Sequence, residues 1–267
     1  MSDILIIGDK CEDKYIFGEC KRLSPEQPIP VLDQTSTASR PGMAGNVEEN
    51  LRAFGHNTLL LHQREPITKT RFVDSTSKYQ LLRLDETPEV TRITSSEVKL
   101  ALMHMSPSAL VISDYDKGYL TSDDLLLLCN NVNVPVFVDT KKKKLFQKDN
   151  VFWKINQKEY DELDHEYELP NDTHLIVTLG NMGARWNNMV YTSEKVPCFD
   201  VCGAGDTFMT ALVHKFLDTD GNMPESIHFA NKAAAISVQY PGAYHLTKEE
   251  IEKISKKPRK KRTRKTK

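Results

Sequence analysis

The chain has 267 residues, of which 39% are hydrophobic and 27% are charged, and its formal net charge is −1. This length and composition fit one large globular α/β domain. No apolar run approaches the roughly 20 residues of a transmembrane helix, and residues 1–9 lack the basic flank and long apolar run of a signal peptide. We therefore expect a cytoplasmic protein without membrane contact. The five cysteines form no CxxC pair, so free thiols are expected rather than disulfides or a metal site.

Short β-branched runs alternate with amphipathic stretches, which is typical of βα units around a mainly parallel sheet. In chain order, the predicted strands are Ile4–Ile7, Thr58–Leu61, Ala109–Ile112, Pro135–Val138, Val151–Ile155 and Leu175–Val177. The predicted helices are Ala44–Phe54, Ser95–Met103, Ser122–Asn130, Ala204–Leu217, Pro224–Gln239 and Thr247–Ile254. Residues 15–33 and 70–85 look like strands outside this alternation. They predict a small antiparallel flap beside the main sheet.

The charge distribution sets the C-terminal segment apart from the body. Residues 256–267 hold nine Lys or Arg and no acid, so the rest of the chain is acidic. Because this segment has no large apolar side chain to bury, a disordered basic tail is predicted at residues 255–267. Two interpretations stay open, namely a solubilising extension and an electrostatic contact with a polyanion such as nucleic acid.

Five predicted strands run into a small polar or acidic residue. These residues are Asp9, Asp114, Asp139, Asn156 and Thr178. In open parallel sheets, ligands bind beyond the carboxyl ends of the strands, so the five together predict a polar site along that edge. The alternative for each one is that it only caps the following turn or helix.

The sharpest local motif is DVCGAGDT at residues 200–207, followed directly by an apolar run. Small residues let the backbone approach a ligand closely, and the free N–H groups and dipole of a helix start favour an anion. Gly203, Ala204 and Gly205 are therefore candidates for an anion hole, and Asp206 could accept a proton from an attacking hydroxyl. A capped helix start after a glycine loop explains the pattern equally well. Neither a GxxxxGK[ST] nor a GxGxxG nucleotide motif is present.

The GAGD sequence at residues 203–206 resembles the signature of the PfkB/ribokinase kinases. Residues 8–15 resemble the first strand of that family and its sugar-binding acids. Residues 24–31 and 40–47 closely resemble one branch, the D-glycero-D-manno-heptose 7-phosphate kinases, which include the kinase half of the bifunctional heptose kinase/adenylyltransferase. The likeness covers about residues 3–250, with the motifs in the same order.

The resemblance implies a ribokinase-like three-layer α/β/α fold with a mainly parallel central sheet and a small β-flap that acts as a lid. The kinase domain would span residues 1–254, with the flap formed from about residues 15–33 and 70–85. The basic tail at residues 255–267 would follow it. Flaps of this kind often pair between subunits in the family, so a homodimer through the flap is implied as well.

The resemblance also implies roles for individual residues. Asp206 would be the catalytic base, and Gly203, Ala204 and Gly205 would form the anion hole. The substrate-binding residues would be Asp9, Asp13, Gly42, Asn46, Lys69, Asp114 and Lys117. The ATP-binding residues would be Asn156 and Glu159 of an NxxE motif, Thr178, Gly180 and Gly183 of a TxGxxG turn, and Asn231. Glu159 would also reach Mg²⁺ through water.

Several of these assignments have simpler alternatives. Asn156 and Glu159 have the spacing of a helix capping box, and residues 178–183 could form an ordinary hairpin turn. Asn231 could lie on a helix surface. Each lysine could be a solvated surface group.

The implied activity is ATP-dependent, Mg²⁺-assisted phosphorylation of a sugar or sugar phosphate, with D-glycero-D-manno-heptose 7-phosphate as the leading acceptor. A kinase of another small alcohol (a pentose, hexose or nucleoside) and a catalytically weak ligand-binding or regulatory protein of the same fold are the alternatives. Four departures from the family bear on this choice. Residues 61–66 lack the usual strand–helix–strand excursion, Met43 replaces a glycine, Cys202 replaces a threonine, and no adenylyltransferase motif is present.

Overall fold

The computed structural model describes residues 2–164, 166–167 and 169–256. The strands in these ranges are β1 (Asp3–Gly8), β2 (Lys10–Leu23), β3 (Pro30–Met43), β4 (Asn57–Leu61), β5 (Ile67–Asp74), β6 (Gln80–Glu86), β7 (Ala109–Asp114), β8 (Val136–Thr140), β9 (Val151–Asn156), β10 (Leu175–Thr178), β11 (Ala184–Trp186) and β12 (Met189–Tyr191). The helices are α1 (Ala44–Ala53), α2 (Ser95–His104), α3 (Ser122–Asn130), α4 (Gln157–Asp161), α5 (Ala204–Asp218), α6 (Met223–Ser237) and α7 (Lys248–Ser255).

The main sheet has eight strands in the order β12-β11-β10-β9-β8-β7-β1-β4. The six strands from β10 to β4 pair in parallel, and β11 and β12 extend the sheet as antiparallel strands. All six predicted strands and all six predicted helices are confirmed, with ends that differ by at most two residues. The short helix α4 and the strands β11 and β12 were not predicted.

Helices cover both faces of the main sheet. Alternate residues of a strand point to opposite faces, so Ile4 packs with Phe208 of α5 on one side, whereas Leu5 packs with Leu125 of α3 on the other. All four side chains are buried. The two apolar clusters confirm the predicted three-layer α/β/α arrangement.

The flap is a second sheet of four strands in the order β3-β2-β5-β6. Its outer pairs are antiparallel, but β2 and β5 pair in parallel, so the prediction of an antiparallel flap is wrong for its central pair. The reason lies in the main sheet. Because β1 and β4 are parallel neighbours that lead almost directly into β2 and β5, the two extensions leave in the same direction. The flap strands also begin earlier than predicted and include β3, which runs up to α1.

The connection from β4 to β5 has only five residues, 62–66, as the sequence indicates. Gln63 is buried there, and its side chain accepts from the Lys10 N–H at 3.0 Å and donates to the Lys10 carbonyl at 2.5 Å. These two bonds tie the short connection to the start of the flap. No helix or strand lies between β4 and β5, and β4 is the edge strand of the main sheet.

The structure also bears on the cysteines, on membrane-spanning helices and on the C-terminal tail. The five cysteines are free thiols, as predicted. No helix within the described residues is long and apolar enough to cross a membrane. Helix α7 ends at Ser255, and most of the predicted basic tail, residues 257–267, lies outside the described residues.

Candidate active site

The loop before α5 gives Asp206 its position. Gly203 has a φ of 73°, in the left-handed region that favours glycine. A Cβ atom on Gly203 would lie 2.9 Å from the Asn46 amide nitrogen, so a side chain is excluded there on steric grounds as well. Asp200 holds the loop by accepting from the Cys202 N–H at 2.9 Å. Asp206 therefore enters the first turn of α5 beside Asn46.

Of the three amides in the predicted anion hole, that of Ala204 is committed, whereas those of Gly203 and Gly205 have no hydrogen-bond partner among the described residues. The Ala204 N–H donates to the Val201 carbonyl at 3.2 Å within the turn. The Gly205 N–H belongs to the start of a 15-residue helix. A helix start with a free N–H group is suited to an anion such as phosphate.

Two side chains donate to the Asp206 carboxylate. The Asn46 amide donates to Oδ2 at 2.7 Å, and the Tyr115 hydroxyl donates to Oδ1 at 2.9 Å. Burial raises the pKa of Asp206 above its ordinary value, although both hydrogen bonds act in the opposite direction. Asp139 raises the pKa further and Lys154 lowers it. A buried carboxylate with a raised pKa is a suitable general base.

Asp9 and Asp13 lie at the start of the flap. The Oδ2 atom of Asp9 accepts from the backbone N–H groups of Tyr115 at 2.8 Å and of Lys117 at 3.2 Å, whereas its buried Oδ1 has no partner. Asp13 forms an ion pair with Arg71. An unpartnered buried carboxylate oxygen needs a donor, and a sugar hydroxyl would supply one to Asp9.

Gly42 and Asn46 line the same region. A Cβ atom on Gly42 would lie 2.3 Å from Asp13 Oδ2, so only glycine fits against that carboxylate. The Asn46 Oδ1 atom is 3.0 Å from Asn50 Nδ2 and 3.1 Å from His245 Nε2. Because its Nδ2 donates to Asp206, the Asn46 amide is already committed to protein partners.

The other predicted substrate contacts differ in their surroundings. Asp114 accepts from Thr140 Oγ1 at 2.6 Å and lies 3.4 Å from the Lys142 ammonium, so its carboxylate belongs to a buried network. Lys69 lies 5.6 Å from the centroid of the Tyr115 ring and therefore faces the site. Lys117 contributes its backbone N–H to Asp9.

The predicted ATP-binding residues Asn156 and Glu159 form the helix cap that was the simpler alternative for them. Asn156 caps α4 and forms a capping box with Glu159, whose second oxygen pairs with Lys141. A capping box leaves the ATP assignment open, because the same side chains can still face a ligand at the carboxyl ends of β9 and β10.

The TxGxxG segment is a turn between the antiparallel strands β10 and β11. Gly180 and Gly183 have φ angles of 60° and 98°, and a Cβ atom on Gly183 would lie 2.0 Å from the Tyr191 carbonyl oxygen. Thr178 ends β10 and donates to the Ile155 carbonyl at 3.3 Å. Asn231 is buried rather than on the helix surface, and it donates to the same Tyr191 carbonyl at 2.7 Å.

Sequence reasoning missed Lys154. Its ammonium group is buried, forms an ion pair with Asp139, and lies 3.0 Å from the position of a Cβ on Gly205. A positive charge therefore lies beside the anion hole. The available signal was a single lysine inside the otherwise apolar strand Val151–Ile155.

Tyr115 and Lys141 were missed as well. The Lys141 ammonium lies 5.2 Å from the centroid of the Tyr115 ring and pairs with Glu159. Lys141 begins a run of four lysines, which in the sequence looks like a solvated surface. Nothing in the sequence relates Tyr115 to Asp206, which is 91 positions away.

Comparison with known proteins links these features to a family. The family model described as pfkB family carbohydrate kinase matches residues 142–250. The protein named Bifunctional protein HldE from Nitratiruptor sp. is 30% identical over 96% of this chain, and its namesake from Campylobacter curvus is 29% identical over 94%. The chain spans 66% and 64% of the lengths of these relatives, a little less than two thirds.

Solved structures share the fold. Ribokinase from Thermotoga maritima has a TM-score of 0.68 at 16% identity and covers 95% of this chain and 99% of its own. Phosphofructokinase-2 from Escherichia coli in complex with fructose-6-phosphate has a TM-score of 0.68 at 15% identity, with coverages of 95% and 98%. The alignment with the Nitratiruptor protein runs over 312 positions, more than the 267 residues of this chain, so that relative carries insertions that this chain lacks.

Proposed function

Because the chain belongs to the PfkB family of carbohydrate kinases, we propose that it transfers the γ-phosphate of ATP to a hydroxyl of a sugar or sugar phosphate, with Asp206 as the base. The observation that carries this proposal is the surrounding of Asp206. A buried carboxylate with two donors lies in the first turn of α5, beside a free helix N–H and the buried Lys154 ammonium. This arrangement combines a proton acceptor with a site for phosphate.

The proposed chemistry depends on alignment and charge neutralisation. The oxygen of the acceptor hydroxyl bonds to the γ-phosphorus, and Asp206 takes the proton of that hydroxyl. The bond between the γ-phosphorus and the bridging oxygen breaks, and this oxygen leaves as part of ADP. The Gly205 N–H and the Lys154 ammonium stabilise the negative charge on the transferred group. The flap covers the sugar and excludes water, which would otherwise compete as the acceptor.

D-glycero-D-manno-heptose 7-phosphate is the acceptor that we propose first. The similarity to the HldE relatives supports this choice, as does the Lys69 ammonium, which faces the site and forms no salt bridge within the described part of the chain. Lys69 would bind a phosphate group on the substrate, and Lys117 is the second lysine that we propose for this contact. Another sugar, sugar phosphate or nucleoside is the alternative acceptor.

The nucleotide would lie along β9 and β10, against Asn156, Glu159, Thr178, Gly180, Gly183 and Asn231. The residues present fit a magnesium ion held mainly by ATP and water. No group of three or more metal-ligating side chains occurs among the described residues, and Mg²⁺ commonly uses only one or two carboxylates. Glu159 would reach the ion through water, and the unpartnered Oδ1 of Asp139 could do the same. The ion would neutralise the phosphate charge of ATP.

We further propose a cytoplasmic homodimer that pairs through the flap. Strand β6 forms one edge of the flap and is exposed along its whole length, with Leu82 and Leu84 facing solvent. Burial of these leucines against a second copy would stabilise a dimer. The basic tail would provide a separate contact with a polyanion.

A ligand-binding protein with weak catalysis is the second candidate. The five-residue connection between β4 and β5 favours this candidate, because the missing strand–helix–strand segment shortens the chain next to the flap strand β5. The intact surroundings of Asp206 favour the kinase instead.

An ADP-release assay with Mg-ATP separates these candidates. The acceptors are heptose 7-phosphate, heptose, fructose 6-phosphate, ribose and adenosine. Acceptor-dependent ADP formation supports the kinase and identifies its substrate. Binding of ATP or a sugar without any turnover would support the binding protein.

A further inference from the structure

Tyr115 contacts two of the predicted functional carboxylates at once. Its backbone N–H donates to Asp9 Oδ2 at 2.8 Å, and its hydroxyl donates to Asp206 Oδ1 at 2.9 Å. Asp9 directly follows β1 and Asp206 lies at the start of α5, so the two acids are far apart in the sequence. A single tyrosine therefore connects the proposed sugar-binding acid with the proposed base.

The Tyr115 hydroxyl keeps its proton in this environment. Burial, together with Asp206 and Asp139, raises the pKa of Tyr115 well above its ordinary value. Its ring is held in place by the Lys69 and Lys141 ammonium groups, which lie 5.6 and 5.2 Å from the ring centroid. The phenol is therefore a fixed neutral donor to the carboxylate.

We propose that Tyr115 is a positioning residue that keeps the Asp206 carboxylate ionised and oriented towards the acceptor hydroxyl. This inference rests on the proposed role of Asp206 as the base. Asn46 holds one carboxylate oxygen and Tyr115 holds the other, so the two donors fix the plane of the group. Each oxygen keeps a second lone pair for the acceptor.

The charged groups around Asp206 set its proton affinity together. Asp139 of β8 disfavours the ionised form, whereas Lys154 of β9 favours it, and Cys11 of β2 and Lys141 after β8 also face the carboxylate. None of these groups changes when the Tyr115 hydroxyl alone is removed. Loss of a donor to the charged form raises the pKa of the acid, so Tyr115→Phe is expected to make Asp206 harder to ionise.

The deciding measurement is the titration of Asp206 itself. Protein labelled with ¹³Cγ-aspartate is titrated by NMR without ATP or sugar, and the Asp206 signal is assigned by its loss in Asp206→Asn. The midpoint should move upward in Tyr115→Phe. It should stay in place in Tyr240→Phe, which removes a comparable phenol–carboxylate hydrogen bond to Glu250. An unchanged midpoint in Tyr115→Phe would overturn the inference.

A second measurement keeps the Tyr115–Asp206 hydrogen bond and changes its strength. Replacement of all tyrosines with 3-fluorotyrosine makes the phenol a stronger donor, so the Asp206 midpoint should move downward. The absence of any shift would again contradict the inference.

Kinetics extend the test if an acceptor is found. In Tyr115→Phe, kcat should fall about tenfold, as expected for loss of a hydrogen bond to a charged group. The acid limb of the kcat/KM profile should move to higher pH, whereas the KM for ATP should change little. If no acceptor is phosphorylated but the Asp206 midpoint still moves, the proposed activity fails, and only the effect of Tyr115 on the ionisation of Asp206 stands.

Discussion

The Lys154 ammonium and the Asp139 carboxylate form a buried ion pair at the carboxyl ends of β9 and β8. The pair lies against Gly205 at the start of α5, where a Cβ atom would come within 3.0 Å of the lysine nitrogen. Asp139 keeps one buried oxygen without a partner. A charged pair of this kind costs desolvation free energy, which a role in holding phosphate would account for.

Replacement of Lys154 by Met should reduce both catalysis and stability. We expect kcat to fall by about two orders of magnitude, because a fixed charge beside the transferred phosphate is lost. The free energy of unfolding should fall by about 3 kcal/mol or more, because Asp139 is left buried and unpaired. Steady-state kinetics and urea unfolding measure the two effects.

The double variant Lys154→Met/Asp139→Leu separates these effects. Removal of both charges should recover much of the lost stability, whereas kcat should stay low. Wild-type kcat in the single variant would contradict a catalytic role for Lys154.

Gly42→Ala should weaken acceptor binding. The added methyl group would lie 2.3 Å from Asp13 Oδ2 and 2.7 Å from Cys11 Sγ, so the side chains of Asp13 and Cys11 must move at the proposed sugar site. We expect the KM for the sugar to rise by about tenfold or more, since small misplacements near the reacting groups are costly. The KM for ATP serves as the internal control and should stay near its wild-type value. An unchanged sugar KM would place the acceptor away from Gly42.

Two buried histidines away from the site, His56 and His214, should make the free energy of unfolding depend on pH. Their ring nitrogens are 3.1 Å apart, and burial lowers the pKa of both, that of His214 to about 4 with a further contribution from His56. The folded protein therefore keeps both rings neutral, whereas the unfolded chain takes up protons below about pH 6.5. The free energy of unfolding should decrease as the pH falls from about 6.5 to 4, with a slope of up to about 1.4 kcal/mol per pH unit from His214. His56, whose pKa is lowered as well, adds to the slope below about pH 6.5.

Urea unfolding between pH 7.5 and 4.5 tests this expectation. His214→Phe keeps an aromatic ring beside Phe54 and Phe229, so it serves as the matched variant. Its stability should depend less on pH than that of the wild type. Equal slopes for the two proteins would show that other groups control the acid sensitivity.

The sequence predicted the βα framework well because that framework depends on local patterns. Apolar strands such as Val151–Asn156 and amphipathic helices such as Ala204–Asp218 carry their own periodicity. Strand β3 was missed over most of its length because residues 34–40 are exposed and rich in Ser and Thr, so they carry no apolar alternation. The parallel pairing of β2 with β5 depends on the neighbouring positions of β1 and β4, which one sequence does not reveal.

The candidate site could be predicted only at the residues that belong to a recognisable sequence motif. The GAGD sequence identified Asp206 and its loop, but not the side chains that surround the carboxylate. Tyr115, Lys154 and Asn46 reach it from three other elements, and these long-range contacts depend on the order of strands in the sheet. The roles of the nucleotide-side residues remain predictions, because capping and turn geometry account for Asn156 and Gly183 as well.

The most direct test of the central claim follows the phosphoryl group itself. Wild-type protein and Asp206→Asn are incubated with Mg-ATP and each acceptor of the panel, and ADP and the phosphorylated product are measured together by ³¹P NMR and mass spectrometry. We predict equal amounts of ADP and phosphorylated sugar with the wild type, and a rate lower by about two to four orders of magnitude with Asp206→Asn. A phosphorylated product formed at the wild-type rate by Asp206→Asn would contradict the assignment of Asp206 as the base.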